Sequence, residues 1–197
     1  MDEANRLDLV LSDFLLFARP SQAELAEVDI VELIDRINRL VEAEVNDLKL
    51  VIKTNERIPS VLGNRDQLHQ VCLNLIRNAI QASTEDSGEI RVEIENIVER
   101  VGASQRHRVQ VTFVDFGPGI PRTDLSKLFV PFFTTKQSGT GLGLAISQRI
   151  LSHHGSKIEV WSELGVGTRM AFRLFRYEDG VRHTSETQLA PPTWMHS

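Results

Sequence analysis

The stretch SGTGLGLAIS, residues 138–147, places glycine at three alternate positions and then continues into an apolar segment. A phosphate-binding loop of the Walker type is excluded, because the pattern G-x-x-x-x-G-K-[ST] occurs nowhere in the chain. A dinucleotide-binding fingerprint fits poorly, since the spacing is G-x-G-x-G and no apolar strand precedes it. The stretch therefore predicts a glycine loop that opens a helix, from about residue 142 to residue 153, and that binds another kind of ligand.

The composition is that of an ordinary soluble protein with one main domain. The chain has 197 residues, 41% of them hydrophobic, enough for one core and flanking pieces. The net charge of −5 and the dispersed basic residues argue against nucleic-acid binding, so that an anionic ligand must be held by local donors. Cys72 has no cysteine to pair with in this sequence, no apolar run approaches the length of a membrane span, and the N-terminus does not resemble a signal peptide. We expect a cytoplasmic domain without membrane contact.

Hydrophobic periodicity predicts helices and strands that are interleaved without strict alternation. Apolar residues recur at helical spacing over residues 30–45, where Asp29 and Glu32 resemble a capping box, and over residues 65–83. Alternating or short apolar runs predict strands at 48–54, 89–97, 108–114, 156–162 and 167–175. The order of these elements predicts an α+β fold, a two-layer sandwich in which helices cover one face of a mixed sheet.

The helix predicted over residues 65–83 has a polar flank. Its apolar stripe faces the core, and Asn74, Asn78 and Gln81 lie together at the edge of that stripe. Three amide side chains would therefore line the border between core and solvent, where a ligand could bind.

Four short motifs occur in order along the chain: NLIRNA (74–79), DFGPGIP (115–121), LFVPFFTTK (128–136) and GTGLGLA (139–145). Together they resemble the N, G1, F and G2 boxes of the sensor histidine kinases. These belong to an ATP-binding superfamily that also includes DNA gyrase, a heat-shock chaperone and the mismatch-repair protein MutL. The resemblance covers about residues 30–175 and implies a Bergerat-type ATP-binding fold, with ATP and Mg²⁺ as cofactors.

The resemblance assigns roles to the first motif. Asn78 matches the magnesium-binding asparagine, and an amide oxygen suits an ion that takes its other ligands from water and phosphates. Asn74 stands where the gyrase and chaperone relatives carry a glutamate that activates water, and an amide cannot act as that base. This substitution fits a kinase, whose attacking group is a partner's imidazole. Arg77 resembles a basic residue near the phosphates, or is a solvated surface charge.

The second motif resembles the adenine-binding segment. Asp115 matches the aspartate that accepts a hydrogen bond from the adenine amino group and offers no donor to the carbonyl oxygen of guanine. Gly117 and Gly119 would let the backbone approach the base. Thr168 resembles the threonine that helps to hold this aspartate and a bridging water.

Residues between Gly119 and Gly139 resemble the ATP lid of the family. Phe129, Phe132 and Phe133 could pin this lid by burying their rings, and at least one of them is expected to be ordinary core. Lys136 resembles a phosphate-facing lysine, although an exposed lid lysine fits the composition as well. The phosphates would be received by the loop and by the helix N-terminus that follows it. The candidate catalytic residues are Asn74, Asn78 and Lys136, and the candidate phosphate-binding loop comprises Gly139, Thr140, Gly141, Leu142 and Gly143.

The family's phosphoacceptor histidine, in a motif resembling H-E/D-x-K/R-N/T-P, has no counterpart in the 197 residues. We therefore expect a catalytic domain that is separated from its histidine by truncation or by a natural split. Its partners would be the histidine-containing dimerisation hairpin and a response-regulator receiver domain. Two alternatives are a serine kinase of the anti-sigma type and a nucleotide-sensing or interaction module without transfer activity.

The expected organisation has four parts. They are the end of a hairpin helix (1–19), a linker (20–28), the ATP-binding domain (29–176) and a flexible tail (177–197). An apolar seam of Leu7, Leu11 and Phe14 suits helix packing, so that we expect a monomer or a weak dimer.

Overall fold

The computed structural model describes residues 24–42, 49–54, 56–83, 89–102, 104–136 and 139–181. The expected hairpin helix with its seam, residues 1–19, and the end of the expected tail, residues 182–197, lie outside the described residues. In chain order the elements are β1 (Ala26–Val28), α1 (Ile30–Glu42), β2 (Lys49–Thr54), β3 (Val61–Gly63), α2 (Arg65–Ala82), β4 (Glu89–Val101), β5 (Ser104–Asp115), α3 (Arg122–Leu125), α4 (Gly143–His153), β6 (Glu159–Glu163) and β7 (Gly167–Phe175).

A five-stranded sheet in the order β2-β4-β5-β7-β6 forms one layer of the domain. Strand β2 runs parallel to β4, and the other neighbours are antiparallel, so that the sheet is mixed as predicted. One face of the sheet is apolar and shares a single core with α1, α2 and α4. The α+β sandwich predicted from the sequence is therefore confirmed.

The other face of the sheet is polar. Arg169 and Glu93 pair across it at 3.0 Å, and Arg173 pairs with Glu159 at 2.8 Å. Each of these partly exposed pairs contributes at most about 1 kcal/mol to stability. The sheet is therefore held mainly by the apolar face, which carries the helices and, with them, the candidate site.

Local sequence signals placed the first two long helices correctly. The Asp29 carboxylate accepts the N–H of Glu32 at 2.9 Å, which confirms the Asp29 half of the capping box predicted for α1. The Glu32 carboxylate pairs with Arg36 at 2.8 Å. The Asn64 side chain accepts the N–H of Gln67 at 3.1 Å and caps α2 in the same way.

The hairpin of β4 and β5 is longer than its sequence pattern indicated. Pairing continues to Val101 opposite Ser104, so that most of the predicted loop is strand. In this part the polar residues Glu99 and Arg106 lie opposite each other, and Val98 is exposed. The alternation of apolar and polar residues is lost there because the strands extend past the core, while the backbone ladder continues.

The segments that flank the predicted ATP-binding domain pair with β3 or with the residue directly before it. Strand β1, within the expected linker, pairs antiparallel with β3. Residues 177–181, the beginning of the expected flexible tail, form a helical turn, in which the Tyr177 N–H donates to Ser60 O at 2.9 Å. Strands of three residues are too short to give a periodic signal, which is why the sequence did not reveal them.

The buried His154 connects α4 to the start of α2. Its Nε2 accepts the Asn64 N–H at 3.0 Å, and its Nδ1 lies 2.8 Å from Ile150 O, to which it donates in this tautomer. Burial lowers the pKa of His154 below its ordinary value of 6.5. The hydrogen bond to Ile150 O raises this pKa, and the charge of the nearby His153 lowers it further. The neutral imidazole is therefore the form that joins the two helices.

We predict that acidification destabilises the domain through His154. The pKa of His154 is lower in the folded domain than in the unfolded chain, so that below about pH 6.5 the unfolded chain binds more protons. The stability that neutral His154 contributes is therefore lost as the pH falls through the folded pKa. His154→Leu should cost about 1–3 kcal/mol at pH 7.5, because the Asn64 N–H loses its acceptor. The variant should then lose less further stability between pH 7.5 and pH 5.5 than the wild type.

Urea unfolding at both pH values measures this effect. The exposed neighbour provides the matched control, and His153→Gln should keep most of the wild-type pH dependence. Equal pH dependence in the wild type and His154→Leu would contradict the assignment.

Candidate functional site

A cavity of about 620 Å³ lies between α2, the segment that leads from β5 to α4, and residues of β5 and β7. The sequence-predicted residues that line it are Asn74, Arg77, Asn78, Asp115, Gly119, Lys136, Gly139, Thr140, Gly141, Gly143 and Thr168. Gly117 and Leu142 are not among its lining residues. The structure thus brings together nearly all of the residues singled out from four separate motifs.

Asp115 is a buried carboxylate at the end of β5, oriented by backbone groups. Its Oδ1 accepts the N–H of Gly117 at 3.1 Å and the N–H of Thr168 at 3.2 Å. Burial raises the pKa of Asp115, whereas these two bonds and the charge of Lys136 lower it. Because both N–H groups bind Oδ1, Oδ2 is the atom left to accept a hydrogen bond from a ligand in the cavity.

Gly117 therefore acts through Asp115 and not on the cavity wall itself. Its N–H helps to orient the carboxylate from outside the lining. Thr168 does the same from β7, where it lies opposite Asp115 in the strand register. The side chain of Thr168 has a separate contact, with Ser162 Oγ at 3.0 Å.

Asn74 joins α2 to α4. Its Nδ2 donates to Ser147 Oγ at 2.9 Å, and Ser147 is buried. A Cβ at Gly143 would lie 2.4 Å from Asn74 Oδ1, so that a larger residue there would require the Asn74 side chain to shift. The amide of Asn74 thus contributes to the cavity wall as a helix contact.

Lys136 places an ammonium group on the amide flank of α2. Its Nζ donates to Asn78 Oδ1 at 2.9 Å and to Gln81 Oε1 at 2.7 Å. Burial lowers the pKa of Lys136, and the Asp115 carboxylate opposes that shift. Two amide oxygens therefore face a cation inside the cavity. The sequence had indicated Gln81 as part of the flank without assigning it a role, and this contact shows its partner.

The glycine loop leads into α4 without a capping side chain. Among the described residues no side chain caps the N-terminus of α4. The hydroxyl of Thr140 accepts the Leu142 N–H at 3.3 Å, and the Leu142 side chain is buried in the core. Gly143 and Leu144, the first residues of α4, line the cavity. This helix N-terminus is suited to an anion, since its first N–H groups and the helix dipole both favour negative charge.

The lid segment packs against the glycine loop at Gly141. The Phe132 N–H donates to Gly141 O at 3.0 Å, and Gly141 has φ of 69°. A Cβ at Gly141 would lie 2.4 Å from the carbonyl carbon of Phe132. The backbone contact between lid and loop therefore requires glycine at this position.

We predict that Gly141→Ala weakens ATP binding about tenfold or more. The added methyl group clashes with backbone, which cannot move aside as a side chain can, and the positive φ adds about 1 kcal/mol of strain. Gly102→Ala is the matched control, because Gly102 has φ of 62° and a Cβ there meets nothing within 4 Å. Calorimetric titration with ATP measures both variants, and equal losses would show that the close approach to Phe132 is unimportant.

The three lid phenylalanines have different environments. Phe129 packs against the core, as expected for at least one of them. Phe133 lines the cavity and lies 5.7 Å from Lys127 Nζ, measured to the ring centroid. Phe132 is 60% exposed, so that its ring does not pin the lid in this structure.

A buried carboxylate acceptor, a lysine bound to two amide oxygens and a glycine loop thus surround one cavity. The family described as "Histidine kinase-, DNA gyrase B-, and HSP90-like ATPase" matches residues 63–178, and the chain belongs to it as the catalytic ATPase domain of the sensor histidine kinase type.

Curated relatives agree with this family. The chain is 34% identical to the sensor histidine kinase ZraS of Escherichia coli K12 over 84% of its length, and 35% identical to sporulation kinase A of Bacillus subtilis over 87%. It is 34% identical to the sensory histidine kinase/phosphatase NtrB of Rhodobacter capsulatus over 88%. The chain spans 34%, 27% and 50% of these relatives, respectively.

Solved structures show the same architecture. The nucleotide-free catalytic domain of the histidine kinase ThkA has a TM-score of 0.64 and 31% identity, over 78% of this chain and 97% of that one. Full-length ShkA in complex with AMPPNP has a TM-score of 0.69 and 25% identity, over 87% of this chain and 36% of that one. The helices of the described residues include none that is long and apolar enough to cross a membrane.

Proposed function

We propose that this domain binds Mg-ATP in the cavity and transfers the γ-phosphate to a histidine outside residues 1–197. The observation that carries the proposal is the orientation of Asp115, whose Oδ1 is held by two N–H groups while Oδ2 is left for a ligand. The amino group of adenine has the donors that this acceptor needs, whereas guanine has a carbonyl oxygen at the same ring position.

The phosphates would lie near Lys136 and the glycine loop. Lys136 supplies a charge, and Gly139, Gly141 and the N-terminus of α4 supply backbone around the same cavity. Since the chain carries a net charge of −5, this local arrangement has to attract the nucleotide. Arg77, exposed on α2 at the cavity wall, adds a further positive charge to the region.

The donor set fits a magnesium ion held mainly by the nucleotide. Asn78 Oδ1 accepts a hydrogen bond from the cationic Nζ of Lys136, so that this oxygen already faces a positive charge in the cavity. No group of three His, Cys, Asp or Glu side chains suited to a metal occurs within the described ranges, which fits an ion with few protein ligands. When bound, Mg²⁺ would neutralise charge on the phosphate oxygens.

The transfer step needs a nucleophile but no base from Asn74. A nitrogen of the incoming imidazole forms a bond to the γ-phosphorus, while the bond to the bridging oxygen breaks and its electron pair leaves with ADP. Lys136 and the α4 N-terminus would stabilise the charge on the phosphoryl oxygens. The Asn74 amide, held by Ser147, cannot deprotonate water, and this limits wasteful hydrolysis.

The proposed partners follow from the same chemistry. A helical hairpin would present the phosphoacceptor histidine, and a receiver domain would take the phosphoryl group from it. We place the domain in the cytoplasm, where ATP is available and where the buried free thiol of Cys72 stays reduced.

Mixing the domain with a separately purified hairpin and γ-labelled ATP tests the proposal. We expect label on the hairpin that acid removes and alkali does not, as for phosphohistidine, and no label on a hairpin whose histidine is replaced by glutamine. Acid-stable label on serine would support the serine-kinase alternative. Nucleotide binding without any transfer would support the sensing module.

A further inference from the structure

The hydroxyl group of Ser162 joins three segments around the proposed adenine site. Ser162 lies on β6 opposite Thr168 on β7. Its Oγ accepts the N–H of Ile120 at 2.8 Å, donates to Gly167 O at 2.9 Å and lies 3.0 Å from Thr168 Oγ1. Sequence reasoning did not select this serine, which lies 42 residues from Ile120.

Counting protons settles the direction of the contact between the two hydroxyl groups. Ser162 has one hydroxyl hydrogen, and the carbonyl oxygen of Gly167 can only accept it. The Ile120 N–H can only donate, so that it uses a lone pair of Ser162. Thr168 must therefore be the donor to Ser162, so that the hydroxyl hydrogen of Thr168 is used in that bond.

Because its hydroxyl group already donates to Ser162, Thr168 can only accept a hydrogen bond from a ligand. Thr168 lines the cavity, and its N–H binds the same Asp115 carboxylate whose Oδ2 is left for the ligand. Two acceptors, Asp115 Oδ2 and Thr168 Oγ1, therefore belong to the same end of the cavity. The amino group of adenine has two N–H donors, whereas a 6-oxo purine presents an oxygen that both acceptors repel.

We infer that Ser162 is a positioning residue for base selectivity, because it holds the Thr168 hydroxyl as an acceptor. The inference rests on the proposed adenine site and adds a second acceptor to it, the hydroxyl group of Thr168. Without the Ser162 hydroxyl, Thr168 can rotate and donate to a 6-oxo group. Selectivity against 6-oxo purines then falls, although no group that touches the base has been replaced.

The test compares ATP with inosine 5′-triphosphate, which differs from ATP in carrying a 6-oxo group. For Ser162→Ala, we expect the ratio of the two dissociation constants to fall about twofold to tenfold, the range of one neutral hydrogen bond. ATP binding itself should weaken less. Ser162→Thr, which keeps a hydroxyl group, should retain the selectivity, and a purely structural loss would weaken both nucleotides equally.

Thr168→Val provides a second route if Ser162→Ala does not fold. It removes the second acceptor, so that it should also reduce selectivity, and Ser162→Ala should add nothing in that background. An unchanged ratio in Ser162→Ala, or in Thr168→Val when Ser162→Ala does not fold, overturns the inference. Asp115→Asn separates this failure from failure of the proposed site: if it still weakens ATP binding, the adenine site stands without the role of Ser162.

Discussion

Replacing Asp115 with asparagine is expected to weaken ATP binding about 10- to 100-fold, the effect of losing a hydrogen bond to a charged acceptor. The direction of the new amide follows from the two backbone donors. Gly117 and Thr168 both donate to Oδ1, so that the amide oxygen takes that position and the NH₂ group replaces Oδ2. A donor then faces the donors of the adenine amino group.

The same substitution should not destabilise the fold. Burial raises the pKa of Asp115, which means that the folded domain disfavours the charged form on this account. A neutral amide removes the cost of burying the charge, and its oxygen can still accept the same two N–H groups. Thermal unfolding should therefore occur at the wild-type temperature or above, while calorimetry shows the loss of nucleotide affinity.

Asp124→Asn is the matched control for this prediction. Asp124 also lines the cavity, but it lies 3.6 Å from Lys127 Nζ and has no part in the proposed adenine contact. We expect wild-type affinity for ATP in that variant. Tight ATP binding by Asp115→Asn, equal to that of the wild type, would remove the adenine assignment.

Asn78→Leu is expected to abolish the dependence of nucleotide binding on magnesium and to slow phosphoryl transfer about 100-fold or more. The side chain that replaces Asn78 has a similar size but no oxygen ligand for the ion. Leucine is also a better helix former than asparagine, so that α2 should remain folded. ATP titrations with magnesium and with a chelator, together with transfer of label to the hairpin, measure the two effects.

Gln81→Leu isolates magnesium ligation from the contact with Lys136. Gln81 and Asn78 are both amides of α2 that accept from Lys136 Nζ, and only Asn78 is assigned to the ion. We expect Gln81→Leu to keep the strengthening of ATP binding by magnesium. The assignment is wrong if magnesium strengthens ATP binding as much in Asn78→Leu as in the wild type.

Much of the site was visible in the sequence because its signals are local. The amides of α2 share a flank through the helical period, and the glycines of the loop stand next to the helix that they precede. Asp115 ends a strand directly before two glycines. Each of these patterns is contained in a few consecutive residues, and the order of four such patterns was enough to predict the family and part of the cavity lining.

Other parts of the site depend on residues that are distant in the chain. Lys136 reaches Asn78 across 58 residues, and Asn74 reaches Ser147 across 73. Their sequence neighbourhoods contain no sign of these partners, which is why Lys136 could equally have been an exposed lysine and why Ser147 was missed. Gly117 and Leu142 were predicted as site residues because they belong to the motifs, but they do not line the cavity.

The amino-acid sequence by itself thus determined the fold class, because periodicity and capping act within one or two turns of chain. The family and the chemical types of the candidate site residues followed from the resemblance of four ordered motifs to a known family. Only the tertiary structure decided the partners and directions of the hydrogen bonds. The two N–H groups on one Asp115 oxygen and the proton order from Thr168 to Ser162 to Gly167 depend on strand register and helix packing. Those contacts form when the whole core assembles, since segments far apart in sequence become neighbours only then.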